Sequence, residues 1–321
     1  MRVWLPYADT GEAERRLGAL PGGVQVDCYR GAADDWPASI DEVEFYVLPY
    51  LESAEVVLAR VDEMRSLRVI QTLTAGYENF MPLLPEGATL CNAAGVHDAS
   101  TAELAIALAL ASGRGLDEFA RQQASGSWSP RPGRSLADRR VLIVGYGRIG
   151  AAIERRLAGF DVASITRVAR SARSGDVSGG GRVHAVADLP SLLVDAEVVF
   201  VIAPLTPETE GLIDARALAA LPDGGLLVNV ARGRLVDTDA LVAETSSGRL
   251  RAALDVTEPE PLPADHPLWR IPGVLISPHV GGASTAFFPR ADRLVAAQLQ
   301  RFAAGERLEN IVVEPESAGM R

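Results

Sequence analysis

The chain has 321 residues, 48% of them hydrophobic and 23% charged, which excludes disorder and fibrous repeats and leaves room for two domains. Its formal charge of −11, with Arg as the only basic residue type besides four His, sets the surface against nucleic acid and anionic lipid as partners. No apolar run reaches the roughly 18 residues of a membrane span, and Met1-Arg2-Val3-Trp4-Leu5-Pro6 has no signal-peptide core, so a cytoplasmic location is expected.

Short apolar runs alternate with longer mixed segments, the pattern of βαβ units in an α/β fold with parallel sheets. In chain order, strands are expected first at 2–5, 24–28, 45–48, 68–73 and 89–91. Cys28 and Cys91 fall in this part, match no metal or redox spacing, and are read as reduced packing residues. Next comes Ser100-Thr101-Ala102-Glu103, which fits a capping box, followed by an apolar helix over 104–111. A helix apolar on every side must be buried all round, between domains or between subunits. The stretch 125–134 is punctuated by Gly and Pro and reads as a loop, and 174–181 reads as another. The second set of strands is expected at 140–144, 162–167, 198–202, 226–230, 252–256 and 274–277, nearly all apolar, as strands covered on both faces should be.

The strand at 140–144 runs directly into Gly145-Tyr146-Gly147-Arg148-Ile149-Gly150 and then into residues with helical spacing. Strand, glycine turn and helix together form a dinucleotide-binding fingerprint. Gly145 permits the tight turn, Gly147 lets backbone approach a pyrophosphate, and Gly150 lets helix pack on strand. The helix start then offers free amides and a positive dipole end to the phosphates. At the end of the next strand an NAD site wants an acid for the ribose hydroxyls. This chain has Val168 there, with Arg167, Arg170 and Arg173 around it. A guanidinium suits a 2′-phosphate that a carboxylate would repel, so NADP(H) is favoured over NAD(H), with Arg167 and Arg170 as its contacts.

Three later segments each place polar residues just past an apolar strand, where open α/β sheets hold ligands. They are Asn229-Val-Ala-Arg232-Gly-Arg-Leu-Val-Asp237, Ala253-Leu-Asp255-Val-Thr-Glu-Pro-Glu260, and Ser277-Pro-His279-Val-Gly-Gly-Ala-Ser284. With these motifs, and with Leu73-Thr-Ala-Gly-Tyr-Glu-Asn79 and Ala203-Pro-Leu-Thr-Pro-Glu-Thr209, the sequence resembles the D-isomer-specific 2-hydroxyacid dehydrogenases over nearly its whole length. The resemblance implies that Arg232 holds the substrate carboxylate and polarises the carbonyl, that His279 is the acid/base, and that Glu260 pairs with it. It further implies coenzyme contacts at Thr101, Pro204, Thr209, Ala231 and Asp255, and a carboxylate-binding loop at Ala75 and Gly76. The chemistry agrees: hydride arriving at a 2-oxo acid builds negative charge on the carbonyl oxygen, where a fixed cation and a proton donor must meet.

The resemblance also implies two doubly wound parallel-sheet domains. A Rossmann cofactor domain, 99–281, would be inserted in a flavodoxin-like substrate domain made of 1–98 and 282–321, with the active site in the cleft. Residues 291–304 would return as an amphipathic helix. A homodimer is implied, with the 104–111 helix at its interface and the Trp128 loop reaching the partner. The expected activity is NAD(P)-dependent reduction of a small 2-oxo acid such as glyoxylate or hydroxypyruvate, with Tyr50, Leu51, Trp269 and Phe287 as pocket walls. Glu260 argues against the formate-oxidising relatives, which carry Gln there; a phosphite dehydrogenase, or an NAD(H)-sensing corepressor-like binding protein of the same fold, are the alternatives. His97, His184 and His266 are read as structural.

Overall fold

A computed structural model of the protein describes residues 1–174 and 181–315, so most of the expected loop at 174–181 lies outside the described residues. The chain divides into two compact units, Met1–His97 with the chain from Thr285 onward, and Asp98–Ser284.

The first unit opens with β1 (Arg2–Leu5), α1 (Thr10–Leu17), β2 (Gln25–Cys28), β3 (Phe45–Val47), α2 (Ala54–Val57), β4 (Val69–Gln71) and β5 (Thr89–Cys91). Asp9 starts α1 by accepting the Glu12 amide at 2.7 Å, and Gly18, at φ 77°, ends it. The five strands are parallel in the order β2-β1-β3-β4-β5, the flavodoxin-like winding.

The second unit begins with α3 (Asp98–Arg114) and α4 (Leu116–Ala124). Then follow β6 (Arg140–Val144), α5 (Arg148–Leu157), β7 (Ser164–Ala169), β8 (Arg173–Ser174), β9 (Arg182–Ala185) and α6 (Leu189–Leu193). The last part is β10 (Val198–Val201), α7 (Ala215–Ala220), β11 (Leu226–Asn229), α8 (Thr238–Ser246), β12 (Arg251–Leu254) and β13 (Val274–Ile276). Its sheet runs β13-β12-β11-β10-β6-β7-β9-β8, parallel except for the β8–β9 edge pair. The central strands β10 and β11 are buried at every residue, because helices cover both faces. The winding reverses at β6, between β7 and β10, which is where a doubly wound sheet opens a crevice for a ligand.

The chain then returns to the first unit as α9 (Phe287–Ala304) and β14 (Ile311–Val313). Helix α9 buries Phe287, Ala291, Leu294, Val295 and Leu299, one stripe at helical spacing. Each large apolar side chain so buried contributes about 1.5–3 kcal/mol. A polar bond completes the seam: Gln298 Nε2 donates to Gln71 Oε1 at 2.8 Å, both buried. Strand β14 pairs antiparallel with β5 and closes the sheet's edge.

One expectation needs correction. Helix α3 starts at Asp98, a turn's fraction ahead of the supposed cap, so Ser100 is not its N-cap; its hydroxyl instead donates to Ser284 Oγ at 2.6 Å. Within this chain α3 is covered on one side. Ala102, Ala105, Ile106, Leu108 and Ala109 face inward, whereas Ala107 is exposed and Leu104 and Leu110 are half-buried.

Candidate active site

The glycine turn is shaped by lack of space in two places and by open space in a third. Gly145 has φ 104°, and a Cβ there would stand 2.5 Å from the Ile202 carbonyl carbon and 2.6 Å from Ala203 Cα. No side chain fits at such an approach of two strands. A Cβ on Gly150 would meet the Gly145 carbonyl oxygen at 2.9 Å and Ile143 Cγ2 at 3.2 Å, so α5 lies tight against β6. Around Gly147 a Cβ meets nothing within 4 Å, and α5 begins there with no side-chain cap among the described residues. The amides of its first turn are left to a ligand, and the clear space at Gly147 lets a pyrophosphate reach them. A nicotinamide dinucleotide fits this turn. Arg148 and Ile149 stand at the start of α5, and Arg148 Nε donates to Asp98 at 2.9 Å.

The arginines past β7 divide in a way their order along the chain does not reveal. Arg167 points under the turn, where its guanidinium takes both oxygens of Glu154 in α5, with Nε at 2.8 Å. Both side chains are nearly buried, at 12% and 7% exposure. Tyr146 adds its hydroxyl to Glu154 Oε2 at 2.5 Å and lies with its ring 5.8 Å from the Arg167 guanidinium carbon. The expectation that Arg167 binds a 2′-phosphate is therefore corrected: its charge is committed to a carboxylate, and it props the turn from beneath. Arg170 and Arg173 are exposed, and Arg173 donates to the Tyr146 carbonyl at 2.5 Å.

At the carboxyl end of β10, Thr209 Oγ1 accepts the Thr206 amide at 2.7 Å and donates to the Pro204 carbonyl at 2.7 Å, folding the loop on itself. At the end of β11, the buried Asn229 donates to the Arg232 carbonyl at 2.9 Å and accepts the Ala231 amide at 3.1 Å. Arg232 Nη1 donates to the Ala231 carbonyl at 2.7 Å. The next residue, Gly233, lies so close to Thr257 and Glu258 that a Cβ would stand 2.6 Å from the Glu258 amide nitrogen. That approach brings the Arg232 loop against the segment that carries Glu260.

Asp255, 2% exposed at the end of β12, organises the third loop. Its carboxylate accepts from Ser277 Oγ at 2.6 Å, the Val280 amide at 2.9 Å and the Gly281 amide at 2.7 Å. These bonds bend residues 277–281 around it, with His279 at φ 52°, a left-handed conformation rare for a residue with a side chain. A Cβ on Gly281 would stand 3.4 Å from Thr101 Cγ2, which seats the buried Thr101 beneath this bend. The bend presents His279 Nδ1 to Glu260 Oε1 at 2.5 Å. Burial pushes the Glu260 carboxyl up, but the bond from His279 and the His279 and Arg232 charges outweigh it and hold the group below its usual value.

In the first unit, the loop after β4 is tied by Thr74 Oγ1 donating to the Gly76 carbonyl at 2.7 Å and Asn92 Nδ2 donating to the Ala75 carbonyl at 2.7 Å. His97 Nε2 is bonded to the Leu73 carbonyl at 2.8 Å, and its ring stacks on Phe287. Phe287 is 2% exposed and Tyr50 stacks on it at 4.0 Å, so Phe287 is a core residue rather than a pocket wall. Leu51 is exposed at 71%; in the second unit, Trp269 donates its indole N–H to the Pro263 carbonyl at 2.9 Å. His184 faces Asp188 at 3.7 Å and His266 Nδ1 accepts the Leu268 amide at 3.3 Å.

Four residues that organise the site were missed as site residues in the sequence: Glu154, Asn229, Gly233 and Ser277. Asn229 and Ser277 are polar residues at the ends of apolar runs, which was the available signal, and Gly233 follows in the same motif as Asn229. Glu154 gives none, since an acid on a helix ordinarily faces water.

A glycine turn of this shape at the carboxyl ends of a doubly wound sheet defines a dinucleotide-binding protein. Residues 106–281 match the family model described as D-isomer specific 2-hydroxyacid dehydrogenase, NAD binding domain. A glyoxylate reductase of Thermofilum pendens is 32% identical, aligned over 85% of this chain and 84% of that one. Among solved structures, a D-isomer-specific 2-hydroxyacid dehydrogenase of Xanthobacter autotrophicus, in complex with NADPH and MES, superposes with TM-score 0.78 at 29% identity, covering 98% of both chains. An NADPH-dependent glyoxylate/hydroxypyruvate reductase of Sinorhizobium meliloti, in complex with NADP and malonate, gives TM-score 0.77 at 28% identity, covering 98% and 97%. The chain belongs to the D-isomer-specific 2-hydroxyacid dehydrogenase family, and is an NAD(P)-dependent 2-hydroxyacid dehydrogenase.

Proposed function

We propose that the enzyme reduces a small 2-oxo acid, of the glyoxylate or hydroxypyruvate kind, to the D-2-hydroxy acid, with Arg232, Glu260 and His279 as its catalytic residues. The observation that carries this reading is the 2.5 Å bond from His279 Nδ1 to Glu260, on a carboxylate whose affinity for protons is lowered by His279 and Arg232 together. With Nδ1 held, Nε2 is the nitrogen that gives a proton to the carbonyl oxygen as negative charge develops there, and takes it back in the reverse direction. Glu260 fixes the ring through that bond. Arg232 binds the substrate carboxylate, since its planar fork matches two oxygens, and adds positive charge at the carbonyl. When bound, the nicotinamide supplies or accepts the hydride.

For the coenzyme, the turn shaped by Gly145, Gly147 and Gly150 takes the pyrophosphate, and NADPH is proposed as the preferred form. Support comes from the exposed Arg170 at the end of β7, from the absence of an acid at 167–173, and from the two relatives solved with NADPH or NADP. A homodimer through the exposed side of α3 is part of the same reading.

The test is to follow NADPH and NADH oxidation against a panel of 2-oxo acids. Turnover of at least one, lost by about 10²–10⁴-fold in His279→Ala and Arg232→Ala, is the expected result. Tight coenzyme binding without turnover of any member, or variants as active as the parent, would overturn it.

A further inference from the structure

The sheet of the second unit has a far end, where β6, β10, β11 and β12 begin, and arginines collect there. A cavity of about 110 Å³ is lined by Arg134, Arg139, Arg140 and Arg251, with Glu197 and Asp223 as its acids. A larger cavity of about 470 Å³ adjoins it, shares Arg134 and Arg251, and adds Arg121 and Arg131.

The acids are already engaged. Glu197 accepts from Arg139 Nη1 at 2.6 Å and from the Arg140 amide at 3.1 Å, and Asp223 faces Arg249 at 3.6 Å. In the outer cavity Asp117 holds Arg121 at 2.8 Å and Glu118 holds Arg131. Arg134 and Arg251 are different. Among the described residues Arg134 Nη1 donates to the Gly224 carbonyl at 2.7 Å, and Arg251 donates to Ser112 at 3.2 and 3.3 Å and to the Gly224 carbonyl at 3.4 Å. Neutral oxygens are thus their recorded partners. Arg251 Nε is buried and has no partner among the described residues. Burial, and then the neighbouring charges of Arg134 and Arg139, pull the Arg251 guanidinium down to about 10, as expected where cations crowd without a counter-ion.

A half-buried cation beside another, both bonded among the described residues only to dipoles, is costly unless an anion joins them. The guanidinium groups approach from separate segments, the loop before β6 and the start of β12, so their donors converge from several directions. That arrangement suits a tetrahedral oxyanion, whose oxygens point in several directions, better than a planar carboxylate. We propose that this arginine-lined cavity is a second anion site, which binds a phosphate group, free or at the end of a small metabolite, at the opposite end of the sheet from the glycine turn. It does not depend on the substrate or coenzyme assignment above.

The test is calorimetric titration of the full chain with inorganic phosphate, and separately with glycerol 3-phosphate. Ionic strength is held with chloride, and saturating NADPH is present so that the glycine turn is filled. Saturable binding of phosphate is expected, weakened about tenfold or more in Arg134→Gln and Arg251→Gln and unchanged in Arg60→Gln, a surface control in the first unit. Tighter binding of glycerol 3-phosphate would identify the phosphate end of a metabolite, and equal or weaker binding a free phosphate. Should Arg251→Gln fail to fold, the exposed Arg134 carries the test. Absence of saturable heat with both probes into tens of millimolar, as when a second subunit covers the cavity, or binding that survives Arg134→Gln, would sink the proposal.

Discussion

Replacing Arg167 by Ala strands Glu154, a carboxylate 7% exposed, without its cation. Breaking one side of a buried ion pair costs about 3–5 kcal/mol. The lower figure applies here, because Tyr146 still donates to Glu154 Oε2 at 2.5 Å. At about 2–4 °C per kcal/mol for a unit of this size, Arg167→Ala should melt on the order of 10 °C below the parent. Acidity supplies a second signature. In the parent, burial pushes the Glu154 carboxyl up, but the bonds from Arg167 and Tyr146 hold it below its ordinary 4.5. Its ionised form therefore favours the fold above that value, and the benefit fades as pH falls through the lowered one. Without Arg167 burial dominates and the carboxyl rises, so the variant regains stability by taking up a proton. The gap between parent and variant should accordingly narrow from pH 8 to pH 5. Scanning calorimetry of the parent, Arg167→Ala and Glu154→Gln/Arg167→Ala across that range is the assay, with the double variant recovering most of the loss. A single variant within about 2 °C of the parent, or a double variant no better than the single, would refute the reasoning.

Coenzyme kinetics should separate the two arginines: Arg167→Ala raises KM for NADPH and NADH alike, while Arg170→Ala raises it for NADPH about tenfold more than for NADH, and equal effects in Arg170→Ala would count against its phosphate role. Gly147→Ala should leave melting unchanged but weaken coenzyme binding tenfold or more by fluorescence titration, because its Cβ enters open space; Gly145→Ala, facing backbone at 2.5 Å, should lower the yield of folded protein. Burial pushes the Cys91 thiol up to about 12, so iodoacetamide at pH 8 should leave Cys91 unlabelled in the native protein and label it in denaturant, which peptide mass mapping would read.

The sheets were legible in the sequence because their central strands are apolar throughout, and the eleven expected runs all contain strands. Their carboxyl ends were read too long at 198–202, 226–230 and 252–256. Val230 and Val256 stay buried past the last strand residue, so hydrophobicity continues where pairing stops. Strands β8 and β14 are only two and three residues long, too short for alternation to register. In the site, His279, Glu260 and Arg232 follow from motif and chemistry. The direction of Arg167 does not, because it is settled by Glu154 thirteen residues earlier on a packed helix face. The hold of Asp255 on the bend at 277–281 is likewise a matter of three bonds formed after the strands align.

The strand order of the first sheet carries a consequence for birth on the ribosome. Asp98–Ser284 is one continuous stretch, so it can mature as soon as it leaves the exit tunnel. The earlier residues cannot: their β5 edge and the seat of Gln71 are completed by β14 and α9, which are translated after that stretch. The amino-terminal sheet is therefore made before the second unit and finished after it, and must wait, with an apolar face uncovered, while that unit is synthesised.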